Sequence, residues 1–399
     1  MVILKHKINV ANLVLFGIML VVILSVVLCV RPLGNWYIRF APVNYAYICE
    51  KYLENEQPQK VLPIVETWET KHYYDFRAHY YEAQAYAAMG DPAKAADVMG
   101  TVLVKLPAAR SRNLPLSGFD EAKTYDLMAR YNWDAQKYTI AAELGCIAYD
   151  SGQKDFVEKL LSKEFRKHID ELPYEGKLAV SRFAIKARKF QIATVTLDSI
   201  QTNDPYVTGR KEVLKAHVAE QTDDAKTAED ILAKCVKDLP ALPGPKVALS
   251  NLYERQKQTT LSVQLMNEAE QTTAIKVIGL SQFNREAGMQ ITAKGLALSQ
   301  NCEAHAKNIT TGAYRVSNLI VNAYGTSALG VFPVLLVKID GQLATRIYLD
   351  GVSPTVFDGY LWPDGASKKL DFEIDFINDI WDPHTRTDRN VILKNIILY

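Results

Sequence analysis

Hydrophobic positions follow three successive rhythms along the 399 residues. Between Ile8 and Val30 no residue is charged, and Leu13–Val30 is apolar apart from Gly17 and Ser25. From about residue 42 to 290, apolar positions recur at helical spacing and are broken by short polar turns. Beyond about 310 the period drops to two, in the runs RVSNLIVNAY, VFPVLLVKID, LATRIYL, KLDFEIDF and VILKNIIL, joined by Gly, Asp, Asn and Pro. These rhythms predict a multi-domain chain: a cytoplasmic tail (1–7), a single transmembrane helix (8–30), a juxtamembrane segment (31–44), an all-α helical repeat solenoid (45–290), a linker (291–311) and a C-terminal all-β sandwich of jelly-roll-like form (312–399).

The first segment spans roughly 34 Å as a helix, enough for a hydrocarbon core, and is too long for a cleaved leader. Lys5, Lys7 and the terminal amine against Arg31 and Arg39 favour the N-terminus inside. The expectation is a single-pass inner-membrane protein with its bulk in a periplasm or an equivalent space, its partners being envelope or membrane proteins.

The helical segment repeats. Pro58 and Lys60 superpose on Pro92 and Lys94 at an offset of 34 residues, and Leu161, Leu197, Leu232 and Met266 follow at offsets of 36, 35 and 34. Such a spacing implies one helix-turn-helix unit per repeat. The unit HYYEAQAYAAMGDPAKAADVMGTVLVKLP (79–107) resembles a tetratricopeptide repeat. Ala83 and Ala87 let the paired helices approach, Gly90-Asp91-Pro92 turns the chain, Ala95 packs in the second helix and Pro107 ends it. AELGCIAYDSGQKDFVEKLL repeats this logic with Gly152 at the turn, whereas the later units lack a turn glycine and residues 108–135 fit no unit. The resemblance implies a scaffold whose concave groove binds protein segments. His72 and His79 lie seven apart, and without a paired carboxylate they read as structural or solvated.

In KLDFEIDF, Phe372, Ile374 and Phe376 alternate with Asp371, Glu373 and Asp375, so one face is core and the other a wet sheet surface. Four features occur in order here: Ala323, Gly325 and Thr326; Asp340-Gly341; Phe376, Asn378 and Asp379; Asp388-Arg389-Asn390. Together they resemble the calcium-dependent, xylan-binding type of carbohydrate-binding module. The resemblance implies calcium ligands at Asp379 and Asp388, helped by Asn378, Asp382 and the carbonyl of Trp381. It implies polysaccharide contacts at Trp381, Trp362 and Asn390. Arg389 is expected to pair with a carboxylate and brace the loop. One departure is Pro333, which stands in GVFPVLL where metal-using members commonly carry a glutamate.

Charge narrows the picture further. With 46 basic and 45 acidic residues the net charge is +1, which provides no field for nucleic acid. The five cysteines have neither zinc-ligand nor disulfide-framework spacing. No GxSxG, phosphate-binding loop, HExxH or dinucleotide fingerprint occurs, so catalysis is not expected. The combined expectation is a membrane-anchored scaffold organising an envelope assembly, with a carbohydrate-binding-like head. Its alternatives are glycan recognition coupled to polysaccharide synthesis or export, and a structural accessory subunit of a membrane complex.

Overall fold

The computed structural model describes residues 44–399 apart from 73–74, 112–119, 274–275, 285, 312–317, 329–330, 350, 352–354, 361–368, 380 and 383–385. The helical part comprises α1 (Tyr45–Glu54), α2 (Val61–Lys71), α3 (Arg77–Ala88), α4 (Pro92–Ser111), α5 (Glu121–Asp134), α6 (Tyr138–Asp150), α7 (Asp155–Leu160), α8 (Lys163–Arg166), α9 (Tyr174–Lys186), α10 (Phe190–Asp198), α11 (Pro205–Gln221), α12 (Ala225–Asp238), α13 (Pro243–Arg255) and α14 (Thr259–Glu268).

One backbone device recurs through these helices. Glu56, Gly90, Gln136, Gly152, Arg188, Asp223 and Lys257 all adopt positive φ just after a helix, between 56° and 94°. At each, the next N–H reaches back five residues to a helical carbonyl: Gln57 to Tyr52, Asp91 to Tyr86, Lys137 to Asn132, Gln153 to Ala148, Lys189 to Ala184, Asp224 to Ala219 and Gln258 to Tyr253, at 2.7–2.9 Å. This is the Schellman closure, which satisfies carbonyls that a helix end leaves open. The steps from Arg188 to Asp223 to Lys257 are 35 and 34 residues, matching the sequence repeat. The missing turn glycines are therefore replaced by side chains held in the left-handed region, and the repeat survives without its most visible letter.

Two local expectations change. Pro107 does not end its helix, because α4 continues to Ser111. Part of the 108–135 stretch forms a regular helix, α5, capped by Asp120 through the Lys123 N–H and burying Tyr125 and Met128.

The sandwich begins earlier than expected. It comprises β1 (Lys276–Val277), β2 (Met289–Thr292), β3 (Gly295–Leu298), β4 (Cys302–Thr310), β5 (Asn318–Gly325), β6 (Val334–Ile339), β7 (Gln342–Tyr348), β8 (Thr355–Tyr360), β9 (Lys369–Phe376), β10 (Trp381–Asp382), β11 (Thr387–Asp388) and β12 (Val391–Leu398). One antiparallel sheet runs β2-β3-β12-β5-β8 with β1 added to β12, and the other runs β4-β9-β6-β7. Residues 291–311 are thus not a linker. Leu296, Leu298, Cys302, Ala304 and Ile309 are buried with Phe372, Ile374 and Phe376 in the core between the sheets.

The membrane expectation is corrected. Among the described residues no helix is long and apolar enough to cross a membrane. The segment 8–30 on which that expectation rested lies outside the described residues, as do 1–7 and most of 31–44. The single-pass architecture and the inner-membrane placement are accordingly not carried forward.

Candidate functional site

The sandwich packs directly on the helices of the repeat part. In β5 both faces are buried: Leu319, Val321 and Ala323 enter the sandwich core, while Ile320 packs with Leu242, Val247 and Ala269 of the helical part. Val334 and Tyr348, from the other sheet, lie in one core cluster with α3–α6 and α9 side chains.

Polar groups fix this union in register. Glu143, only 1% exposed in the middle of α6, accepts from the Tyr348 N–H at 2.8 Å and pairs with Arg182 of α9 at 2.9 Å. Tyr348 donates its hydroxyl to Asp150 at 2.6 Å, and Lys186 pairs with the same carboxylate at 2.6 Å. Asn251 and Asn322 exchange two amide bonds at 2.9 and 3.2 Å, and Arg210 donates to Asn318 at 2.9 Å. Arg346 of β7 lies against Gly100, where an added Cβ would stand 2.5 Å from its Nη2. Burial lowers this guanidinium to about 10, and its Nε has no hydrogen-bond partner. Beside the union a cleft of about 600 Å³ remains, lined in part by Arg182, Arg188, His217, Arg255 and Phe357.

The second candidate region is the edge carrying the carbohydrate-module motif. Gly325 is required there because a Cβ would meet Pro333 Cγ at 2.5 Å and the Asn390 carbonyl at 2.7 Å. Pro333 therefore serves packing where a ligand was sought. Thr326 is a clasp: its hydroxyl donates to the Asp388 carbonyl at 2.5 Å and accepts from the Asn390 N–H at 3.0 Å. Asn390 donates its side-chain amide to Asp388 Oδ2 at 3.1 Å. Asp340 and Gly341, both at positive φ, turn the chain between β6 and β7, and Asp340 Oδ1 accepts from the Asp371 N–H. The Asp-Gly feature is thus a hairpin turn.

Asn378 is buried and hydrogen-bonded through both side-chain polar atoms. Its Oδ1 accepts from the Val334 N–H at 2.7 Å, and its Nδ2 donates to the Phe332 carbonyl at 3.0 Å. Its own carbonyl accepts from Arg389 Nη1 at 2.7 Å. Arg389 also donates to the carbonyls of Ala328 at 3.0 Å and Val331 at 2.9 Å. The guanidinium thus collects loop carbonyls, the kind of oxygen a calcium ion would take. Of the five expected calcium ligands, Asn378 is thus tied into the loop by hydrogen bonds, and no step through calcium is derived.

The other expected residues lie nearby or outside the described stretch. The Asp379 N–H donates to Asn301 Oδ1 at 2.8 Å, which places its backbone at the sheet edge. Trp381 and Asp382 form β10, and Trp381 stands directly opposite Asp388 in β11. Trp381 is 56% exposed. Trp362 lies outside the described residues.

The acidic face of β9 is not uniformly wet. Asp371 is exposed, but Asp375 is buried and pairs with Lys338 at 2.5 Å, which also holds Glu373 at 2.5 Å. Burial pushes the Asp375 carboxyl up to about 7 despite the ammonium beside it. Burial likewise raises the thiols of Cys49, Cys235 and Cys302 to about 11–12. They are inert core groups.

Sequence reasoning missed the residues of the union. One signal was present: Glu143 interrupts the apolar run IAAELGCIAY, and a charge at such a position needs a buried partner.

No family model and no curated protein matches the chain. Solved structures similar to parts of it fall into two groups. The CBM36-1 domain of a multidomain xylanase from the hindgut metagenome of Trinervitermes trinervoides is 11% identical, with TM-score 0.25, over 31% of this chain and 95% of that one. A carbohydrate-binding module CBM36 in complex with calcium and xylotriose is 14% identical, with TM-score 0.25, over 31% and 99%. The TPR2AB domain of yeast Sti1 in a pHSP90 complex is 13% identical, with TM-score 0.25, over 56% and 86%.

Proposed function

We propose that the chain acts by binding and not by catalysis, and that it recognises a glycan at the Trp381 edge of the sandwich. The observation carrying this reading is the exposed Trp381 ring set across a two-residue β ladder from Asp388. Directly opposed residues hold their Cβ atoms about 4.5–5.5 Å apart, so an apolar ring face and a carboxylate acceptor share one side of the ladder. A pyranose offers the complementary surfaces, an apolar C–H face for the ring and hydroxyl donors for Asp388 and Asp379. The Thr326 clasp and the Arg389 carbonyl cluster hold this edge in shape before any ligand arrives, which lowers the cost of ordering it.

The scaffold reading is retained in altered form. The sandwich covers part of the helical surface, so protein contacts fall to the helical faces it leaves uncovered.

Xylo-oligosaccharide, the ligand type of a similar module, is the first probe in a calorimetric titration of the full chain. Binding is expected to weaken by more than about tenfold in Trp381→Ala, because the ring supplies the apolar contact to the sugar face. Equal heats in wild type and Trp381→Ala, or none across a panel of plant and bacterial polysaccharides, would remove the glycan reading.

A further inference from the structure

His79 is not the isolated histidine that its sequence neighbourhood suggests. It lies on α3 three residues before Glu82, a spacing that puts both on one helical face, and Glu69 reaches them from the end of α2. His79 Nδ1 stands 2.7 Å from Glu69 Oε1 and 3.3 Å from Glu82 Oε2. One ligand atom from each residue lies within 4.8 Å of the other two. The side chains are 14%, 33% and 21% exposed for His79, Glu69 and Glu82, so the cluster is sheltered yet open to solvent on one side.

Two features point beyond an ordinary ion pair. A ring nitrogen carries at most one proton, so Nδ1 can donate to only one of the two carboxylate oxygens it faces. Moreover, Glu69 Oε1 is buried and makes no hydrogen bond, although that nitrogen is at contact distance. A bound cation relieves both, because nitrogen and oxygen lone pairs can then converge on one centre. Bonds of about 2.0–2.2 Å to such a centre hold the ligand atoms roughly 3–3.5 Å apart, close to the spacings present.

We propose that Glu69, His79 and Glu82 form a binding site for a divalent first-row transition ion of the zinc type, tying α2 to α3 at the N-terminal end of the described solenoid. Imidazole nitrogen among the ligands selects against calcium, whose shell is built of oxygen. The open side leaves room for water to complete the coordination.

A superficially similar group, Glu303, His305 and Glu373, is differently built. Its two carboxylates face opposite ring nitrogens, at 3.4 and 3.1 Å, and the Lys338 ammonium already occupies Glu373. That group is therefore the internal control.

The test uses the purified full chain, stripped with chelator and titrated calorimetrically with zinc chloride, with cobalt absorption as a second readout. One equivalent is expected to bind, and the melting temperature is expected to rise on saturation. Glu69→Gln and Glu82→Gln preserve size and hydrogen bonding. Each is expected to keep the apo circular dichroism spectrum and lose more than about tenfold in affinity. Glu303→Gln is expected to bind as wild type does. Absence of saturable zinc heat at millimolar concentration, or affinity that survives both glutamine variants, overturns the proposal, as does loss of binding in Glu303→Gln alone.

Discussion

The solenoid and its union with the sandwich solve the same problem, satisfying buried polar groups, by opposite means. Along the solenoid each helix end closes on itself, with Lys189 reaching Ala184 or Gln258 reaching Tyr253 five residues back. At the union the partners are far apart in sequence: Glu143 meets Tyr348, and Asn251 meets Asn322. A local closure costs little chain entropy and repeats whenever the pattern recurs. A distant one forms only after both units have folded, and removing half of it strands the other half in a dry interior.

This contrast predicts a ranking of effects. Glu143→Ala is expected to be the most damaging, because it leaves the Tyr348 N–H and the Arg182 guanidinium without their buried carboxylate. A loss of about 3–5 kcal/mol is expected, as when one member of a buried pair is removed. Denaturant unfolding followed by both tryptophan fluorescence and circular dichroism checks it. A loss under about 1 kcal/mol would mean that water reaches the union and that the sandwich is not firmly seated.

Arg346→Met probes the same union with the opposite sign. Its guanidinium is buried and its Nε unsatisfied, so an apolar side chain of similar length, which removes a buried charge, is expected to stabilise. A higher melting temperature with unchanged far-ultraviolet dichroism is the expected result, whereas a destabilised variant would reveal an anionic partner for this arginine.

The smallest effect belongs to the local device. Lys257→Gly relieves a left-handed φ of 62° and is expected to stabilise by about 1 kcal/mol, with the same sign at Arg188. Stability falling on either substitution would show that these side chains, and not the turn geometry, hold the units together.

Much of the fold was legible. The 34–36-residue spacing, the helix-to-strand change of period and the Phe372-Ile374-Phe376 core face all follow from chemistry that acts within a few residues. The motif positions Gly325, Thr326, Asp388 and Arg389 do meet at one edge, with contacts the motif does not foretell: Arg389 takes carbonyls and Asn378 braces Val334. A motif records which residues recur together, and a ligand shell depends on which lone pairs are left over. That remainder is settled by neighbours such as Phe332 and Ala328, which no motif contains.

By itself, the sequence determined the helical repeat, its turn positions, the alternating strands and which face of each strand is apolar, because periodicity and turn chemistry are local. Only the tertiary structure decided that the sandwich starts near residue 276, that it packs on the helices, and that Glu69, His79 and Glu82 converge. Those outcomes depend on where separately folded pieces meet, and there the deciding energies come from distant groups that exclude water from each other.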